Sequence, residues 1–270
     1  MSPFDSVAFS DSDSLTRPIT APRSLPLSRS GSWQSLPSLE RRALLERALN
    51  SVWLVFQPIV AQSKNGEPVF AYEALARNSE PRVADPRDLI QLALSLGMVS
   101  ELGRVVQTRA AGVLRRRPDI TLFVNIDVEE LMGALGDGDD DPLAEFAHRV
   151  VLEVTERAPI SELPEVRQRS TRLRERGYRF AIDDLGGGYA GLSSLVLMEP
   201  DFVKIDQALI RDLDTQPVKR KIVGSLAALC RQLGIGCIVE GVETASERDV
   251  LASLGCDLMQ GFFFGRPVAI

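Results

Sequence analysis

Seven groups able to bind metal or handle protons stand at or beside the ends of short apolar runs: Glu73, Asn125, Glu153, Asp183, Lys204, Glu240 and Gln260. Any one alone reads as a polar residue where a strand leaves the core; seven with the same placement point to a shared site. Together with Asp184 and Glu243 they make six carboxylates, Glu73, Glu153, Asp183, Asp184, Glu240 and Glu243, against Lys204 and Arg77. Closely spaced carboxylates cannot all stay ionised, so such a cluster either raises its own pKa values or takes up divalent cations. The donors are all oxygens, from carboxylates and the Asn125 amide, and the chain has a single histidine, His148. Oxygen donors favour Mg2+ or Mn2+ over zinc, and this many ligands suit two ions. Paired metals of this kind activate water and stabilise in-line displacement at phosphorus, which makes phosphodiester hydrolysis the expected reaction class. On the residues alone a glycosidase using two of the carboxylates stays open, although 6% aromatic content speaks against sugar-stacking platforms.

These groups meet only if the strand ends converge. W-L-V-F-Q-P-I-V from Trp53 and P-V-F-A-Y-E-A-L from Pro68 flank Asn65-Gly66, the signature of a tight hairpin, so the first two strands are expected to be antiparallel. The runs T-L-F-V-N, V-V-L-E-V, R-F-A-I-D, F-V-K-I-D, G-C-I-V-E and finally G-F-F-F then alternate with helical stretches. Helix ends are predicted at Asp85-Pro86, from Pro164 to Gly177 and from Pro217 to Gly234. Such α/β alternation predicts a (β/α)8 barrel, in which the C-terminal strand ends share one mouth. Asp183 and Asp184 can serve one site only if the strand breaks between them, because neighbours on a regular strand face opposite ways; the glycines 186 to 188 permit that break.

The composition narrows the partners. With 31 Lys and Arg against 37 Asp and Glu, the chain carries −6 over 270 residues, which argues against a nucleic-acid polymer as ligand. No run is long enough for a membrane span, and the opening Met-Ser-Pro-Phe-Asp lacks the marks of a signal peptide, so a cytoplasmic location is expected. Cys230, Cys237 and Cys256 form no C-x-x-C pair and read as buried, reduced thiols. Residues 1–38 hold eleven serines and five prolines, predicting a disordered tail available to a protein partner. The domain is expected over 39–270, with a lead-in helix over 39–50, and the acidic run from Gly136 to Asp141 reads as a solvated loop.

The motifs resemble the EAL-domain family of cyclic di-GMP phosphodiesterases from about Val52 to Pro267. Tyr72-Glu73-Ala74-Leu75-Ala76-Arg77 carries the name motif, and Phe56-Gln57-Pro58-Ile59 stands where the family has F-Q-P-I. V-N-I-D, L-E-V-T-E, I-D-D-L-G-G-G-Y, V-K-I-D, V-E-G-V-E-T and Q-G-F-F-F-G-R-P follow in the family's order. The resemblance implies an α/β, TIM-like (β/α)8 barrel with an antiparallel first strand, cleaving cyclic di-GMP to linear pGpG. It implies that Glu73, Asn125, Glu153, Asp183, Asp184 and Glu240 hold two Mg2+ or Mn2+ ions, that Lys204 positions the attacking water, and that Glu73, Lys204 and Glu240 are the catalytic set. It further implies that Arg77 holds a phosphate, that Gln57, Leu75, Asp206, Glu243, Gln260 and Pro267 line the nucleotide cleft, that Glu156 braces the loop after Asp184, and that a homodimer forms. One stretch departs from the pattern: where active relatives commonly read D-D-F-G-T-G-Y-S-S-L, this chain has Leu185, Gly187, Ala190 and Gly191. More glycine raises the entropy cost of ordering that loop, so a catalytically weak or inactive domain acting as a cyclic di-GMP receptor or protein-interaction module is the second reading.

Overall fold

The computed structural model describes residues 33–270 apart from 64–65, 134, 136–140, 156–164 and 188–192. Asn65, Pro164, most of the acidic run from 136, and residues 190–191 of the altered loop therefore lie outside the described residues, as does the tail through residue 32. Eight strands close a barrel in chain order: β1 Trp53–Ala61, β2 Val69–Arg77, β3 Leu122–Ile126, β4 Val150–Thr155, β5 Arg179–Leu185, β6 Phe202–Ile205, β7 Gly236–Val239 and β8 Leu258–Gln260. The helices are α1 Ser38–Asn50, α2 Pro86–Ser95, α3 Val99–Arg116, α4 Val128–Met132, α5 Glu165–Glu175, α6 Ser193–Met198, α7 Gln207–Ile210, α8 Pro217–Leu233 and α9 Ala245–Ser253. Strand β1 runs antiparallel to both neighbours, and every other pair is parallel. The expected α/β barrel with a reversed first strand is the observed fold. Among the described residues no helix is long and apolar enough to cross a membrane.

Local chemistry sets the ends of these elements. Gly66 takes φ 126 in the β1–β2 connection, where Ser63 Oγ donates to its carbonyl at 2.8 Å. Asp85 accepts from the Arg87 amide at 2.9 Å and Pro86 sits in the first turn of α2, so one orphan donor is satisfied and another is absent. Helix α8 opens on Pro217 and stops at Gly234, whose φ of 73 is the left-handed conformation a glycine adopts without cost. A capping box of Thr244 and Glu247 opens α9.

Inside the barrel, period-two alternation builds two layers. Ile59, Ala71, Phe123, Val151, Ala181, Phe202 and Ile238, with Leu258 beside them, fill the floor with an apolar cluster. Each large side chain buried there contributes ~1.5–3 kcal/mol. One step of the alternation toward the mouth, every strand presents a polar residue: Gln57, Glu73, Asn125, Glu153, Asp183, Lys204, Glu240 and Gln260. The antiparallel register of β1 places Gln57 opposite Glu73, so the reversed strand still contributes to the same layer.

Two expectations need correction. Gly261-Phe262-Phe263-Phe264 is a turn, and the last strand is the preceding Leu258–Gln260. A Cβ at Gly261 would lie 2.1 Å from the Val242 carbonyl oxygen, so backbone packs on backbone there, and the Phe264 amide closes the turn onto the Gly261 carbonyl at 3.1 Å. The aromatic run has β propensity but no ladder to join. The packed chain also begins ahead of Leu39: Trp33 is 3% exposed and donates to Asp88 Oδ1 at 3.4 Å, because an indole gains more from burial than a Ser/Pro composition predicts.

Candidate active site

Lys204 occupies the centre of the polar layer with a side chain that is 0% exposed. Its Nζ lies 2.7 Å from Glu240 Oε1, 2.8 Å from Glu153 Oε1, 3.3 Å from Asp183 Oδ1 and 3.4 Å from Glu73 Oε2. Glu153 Oε1 and Asp183 Oδ1 are buried without a properly angled hydrogen bond, so the ammonium serves them as a shared point charge. Asn125 Nδ2, on β3, donates to Glu73 Oε1 at 3.3 Å and to Glu153 Oε2 at 3.2 Å, tying the carboxylates of the strands on either side.

At the end of β5 the pairing register shifts between Ile182 and Leu185, and Asp184 takes φ 59. This break turns both acids toward one space. Asp183, Asp184 and Glu240 each offer a carboxylate oxygen, and these oxygens lie within 4.8 Å of one another. The Gly187 amide donates to the Asp184 carbonyl at 2.9 Å and holds the bend.

The electrostatics are those of a cluster short of positive charge. Burial, with Glu73 and Asp183 adding to it, pushes Glu153 well above the usual carboxylate range despite the attraction of Lys204. Burial likewise pushes Glu240 up to about 8 against the pull of the same lysine. Burial alone would drive the Lys204 ammonium down, yet Glu153, Glu240, Glu73 and Asp183 hold it well above its ordinary value. One cation thus leaves buried carboxyls partly uncompensated. Further cations fit this oxygen-rich donor set, and Glu73, Asn125, Glu153, Asp183, Asp184 and Glu240 are the groups present to hold them.

Above the layer an open cleft is lined by Gln57, Glu73, Leu75, Asp206, Glu243 and Gln260, among others. Asp206 also caps α7, accepting from the Ala208 amide at 2.6 Å, and Glu243 lies 3.6 Å from Arg211 Nη2. Arg77 and Pro267 are outside this lining; Arg77 ends β2 half-buried, with Nη1 donating to the Ala76 carbonyl at 2.8 Å. Glu156 lies outside the described residues. Gln207 and Phe262 line the cleft without having been singled out from sequence. Both stand one or two residues beyond a strand end, where barrel loops carry function, and that position is the signal that finds them.

The class is that of closed β/α barrels, here with a mouth that gathers carboxylates about a single lysine. The EAL domain model matches residues 41–267, and the chain belongs to that family. Over 225 residues it is 32% identical to the cyclic di-GMP phosphodiesterase RocR of Pseudomonas aeruginosa, covering 79% of this chain and 56% of the relative. Among the curated relatives it matches, the chain spans from 26% to 57% of their length. The PaMucR phosphodiesterase in its c-di-GMP complex is 30% identical with a TM-score of 0.75, covering 86% of this chain and 98% of that one. BlrP1 of Klebsiella pneumoniae, in a manganese/cy-diGMP complex, is 32% identical with a TM-score of 0.71, covering 81% and 56%.

Proposed function

We propose that this chain is a metal-dependent phosphodiesterase that hydrolyses cyclic di-GMP to linear pGpG. The observation carrying the reading is the gathering of Glu73, Glu153, Asp183 and Glu240 about one buried ammonium, with Asp184 beside Asp183 and Glu240, directly below an open cleft. The family and the nucleotide complexes of PaMucR and BlrP1 support the choice of substrate. The oxygen-only donors support two Mg2+ or Mn2+ ions, held by Glu73, Asn125, Glu153, Asp183, Asp184 and Glu240. When bound, such ions supply Lewis-acid polarisation of the phosphoryl group and water that loses its proton near neutral pH.

The chain's own residues do the remaining work. Lys204 Nζ, fixed by four carboxylates, keeps a buried positive charge beneath the cleft that helps position the attacking water and offsets the charge growing on the diester. Glu240, 2.7 Å from Lys204 Nζ, stands beside the position of that water and is one of the carboxylates that would hold a cation there. Leu75, Asp206 and Glu243 shape the nucleotide cleft, and Arg77, which ends β2 outside that lining, must turn from the Ala76 carbonyl to hold a phosphate. The water oxygen bonds to phosphorus, the bond from phosphorus to the 3′-oxygen breaks, and that oxygen leaves with a proton, so the phosphate stays on the 5′ side.

The test is incubation of the purified chain with cyclic di-GMP and Mg2+ or Mn2+, with and without chelator, resolving pGpG by chromatography. Metal-dependent pGpG is the expected result. Tight nucleotide binding with no product over hours would replace hydrolysis by a receptor function.

A further inference from the structure

Glu247 lies in the first turn of α9, 6% exposed and outside the lining of the cleft, yet its carboxylate does more than close a capping box. Oε2 accepts from the Glu243 amide at 2.9 Å and from the Thr244 amide at 3.1 Å. Oε1 accepts from the Asp212 amide at 3.2 Å, a donor 35 residues earlier in the loop that follows β6. A capping box uses only the bond to the Thr244 amide, so the bonds to Glu243 and Asp212 lie beyond it. One buried carboxylate thus joins the loop after β6 to the loop after β7.

The turn at the far end depends on such support. Asp212 takes φ 59, a left-handed conformation that an aspartate holds only with local hydrogen bonding. The Thr215 amide and Oγ1 both donate to its carbonyl at 3.1 Å, Lys219 Nζ donates to the Arg211 carbonyl at 2.6 Å, and the Asp212 amide is answered by Glu247. The two loops meet at two further points. A Cβ at Gly241 would lie 2.4 Å from Gln207 Cβ, and Glu243 Oε1 stands 3.6 Å from Arg211 Nη2. That ion pair is exposed and holds the loops weakly, whereas charge-assisted bonds to a buried carboxylate are among the stronger ones. On the cleft side the same two loops present Asp206 and Gln207 from one and Glu240 and Glu243 from the other.

We propose that Glu247 is a positioning residue for nucleotide binding: its two carboxylate oxygens fasten the loop after β6 to the loop after β7 and so set the separation of Asp206 and Gln207 from Glu243 along the cleft wall. The inference rests on the reading of this cleft as the cyclic di-GMP site. Glu247→Met keeps the length of the side chain and removes both acceptors. Thr244→Ala is the control, since it removes the Oγ1 that accepts from the Glu247 amide at 3.2 Å and weakens the start of α9 while both carboxylate oxygens stay.

Hydrogen–deuterium exchange of the full chain without nucleotide reads the clasp, and steady-state pGpG formation reads its consequence. In Glu247→Met the stretch 207–216 is expected to exchange about tenfold faster, and KM for cyclic di-GMP to rise about tenfold with kcat unchanged. Both variants are expected to lower Tm, but Thr244→Ala leaves exchange over 207–216 and KM at their wild-type values. An unchanged KM in Glu247→Met would overturn the proposal. So would a KM raised as far in Thr244→Ala, which would make the start of the helix alone responsible. If Glu247→Met fails to fold, Glu247→Asp, which keeps an acid in the first turn but is one methylene too short to reach both loops, decides on the same readouts. A wild-type chain that neither binds nor cleaves cyclic di-GMP would overturn the assignment of the cleft itself, a failure visible before any variant is compared.

Discussion

Two of the places where the barrel buries carboxylates treat them in opposite ways. At the mouth, Glu153 and Glu240 share Lys204 with Glu73 and Asp183, so one cation faces four carboxyl groups. On the outer layer, Glu130 of α4 is 9% exposed and is met by neutral donors: Gln107 Nε2 at 2.8 Å and the Asp127 amide at 2.9 Å, the latter completing a capping box. Burial pushes Glu130 up to about 7, opposed by the Asp127 amide and helped by the Asp127 charge. Raised proton affinity occurs in both regions and therefore does not by itself mark a functional site. The difference lies in the partners: a helix cap satisfies one carboxylate and ends there, whereas the mouth gathers more negative charge than its lysine can offset.

Four substitutions test that contrast. Glu73→Ala is expected to lower the rate of pGpG formation by about 10^3-fold while circular dichroism stays unchanged, since it removes a strand-end anion from a crowded site; an unfolded variant would mean the residue belongs to the core. Lys204→Met is expected to destabilise the metal-free protein by about 3–5 kcal/mol in urea titrations, because the anions lose their shared cation. Stability equal to wild type would remove the contrast between the two regions.

Gly103→Ala acts on the other region. The new Cβ would stand 1.6 Å from Glu130 Oε1, so the carboxylate must leave its cap, at a cost of about 1–3 kcal/mol with pGpG formation preserved. The smallest effect is expected for Glu130→Gln and depends on pH. The folded protein holds the Glu130 proton up to about 7 and the unfolded chain only to 4.5, so this residue's contribution is full below 4.5 and is lost as pH rises through that window. Thermal unfolding at either end of the window should show the variant gaining on wild type as pH rises. A constant difference would mean that Glu130 is charged throughout.

Much of this site was legible before any folding. Glu73, Asn125, Glu153, Asp183, Lys204, Glu240 and Gln260 each lie two residues beyond a position that fills the barrel floor, and alternation carries that pattern into sequence as a polar end to an apolar run. The hairpin and the limits of α2 and α8 were readable from Asn-Gly, Asp-Pro, Pro217 and Gly234, because those residues restrict backbone angles locally. The final strand was misplaced because Phe262 to Phe264 have strand propensity, while the close packing of Gly261 on Val242 that excludes a ladder is non-local. Gln207 and Phe262 were missed because neither ends an apolar run.

What sequence alone determined is which residue types stand at which strand ends, in what order, and that β1 must reverse. Only the tertiary structure decided that Glu73 and Gln260, 187 residues apart, come within 2.6 Å of each other, that one ammonium is shared among four carboxylates, and that Asp184 turns inward at φ 59. The reason is physical. Alternation and turn chemistry act between near neighbours, whereas charge compensation depends on distance and burial, which take their values only when β8 pairs with β1 and the barrel closes.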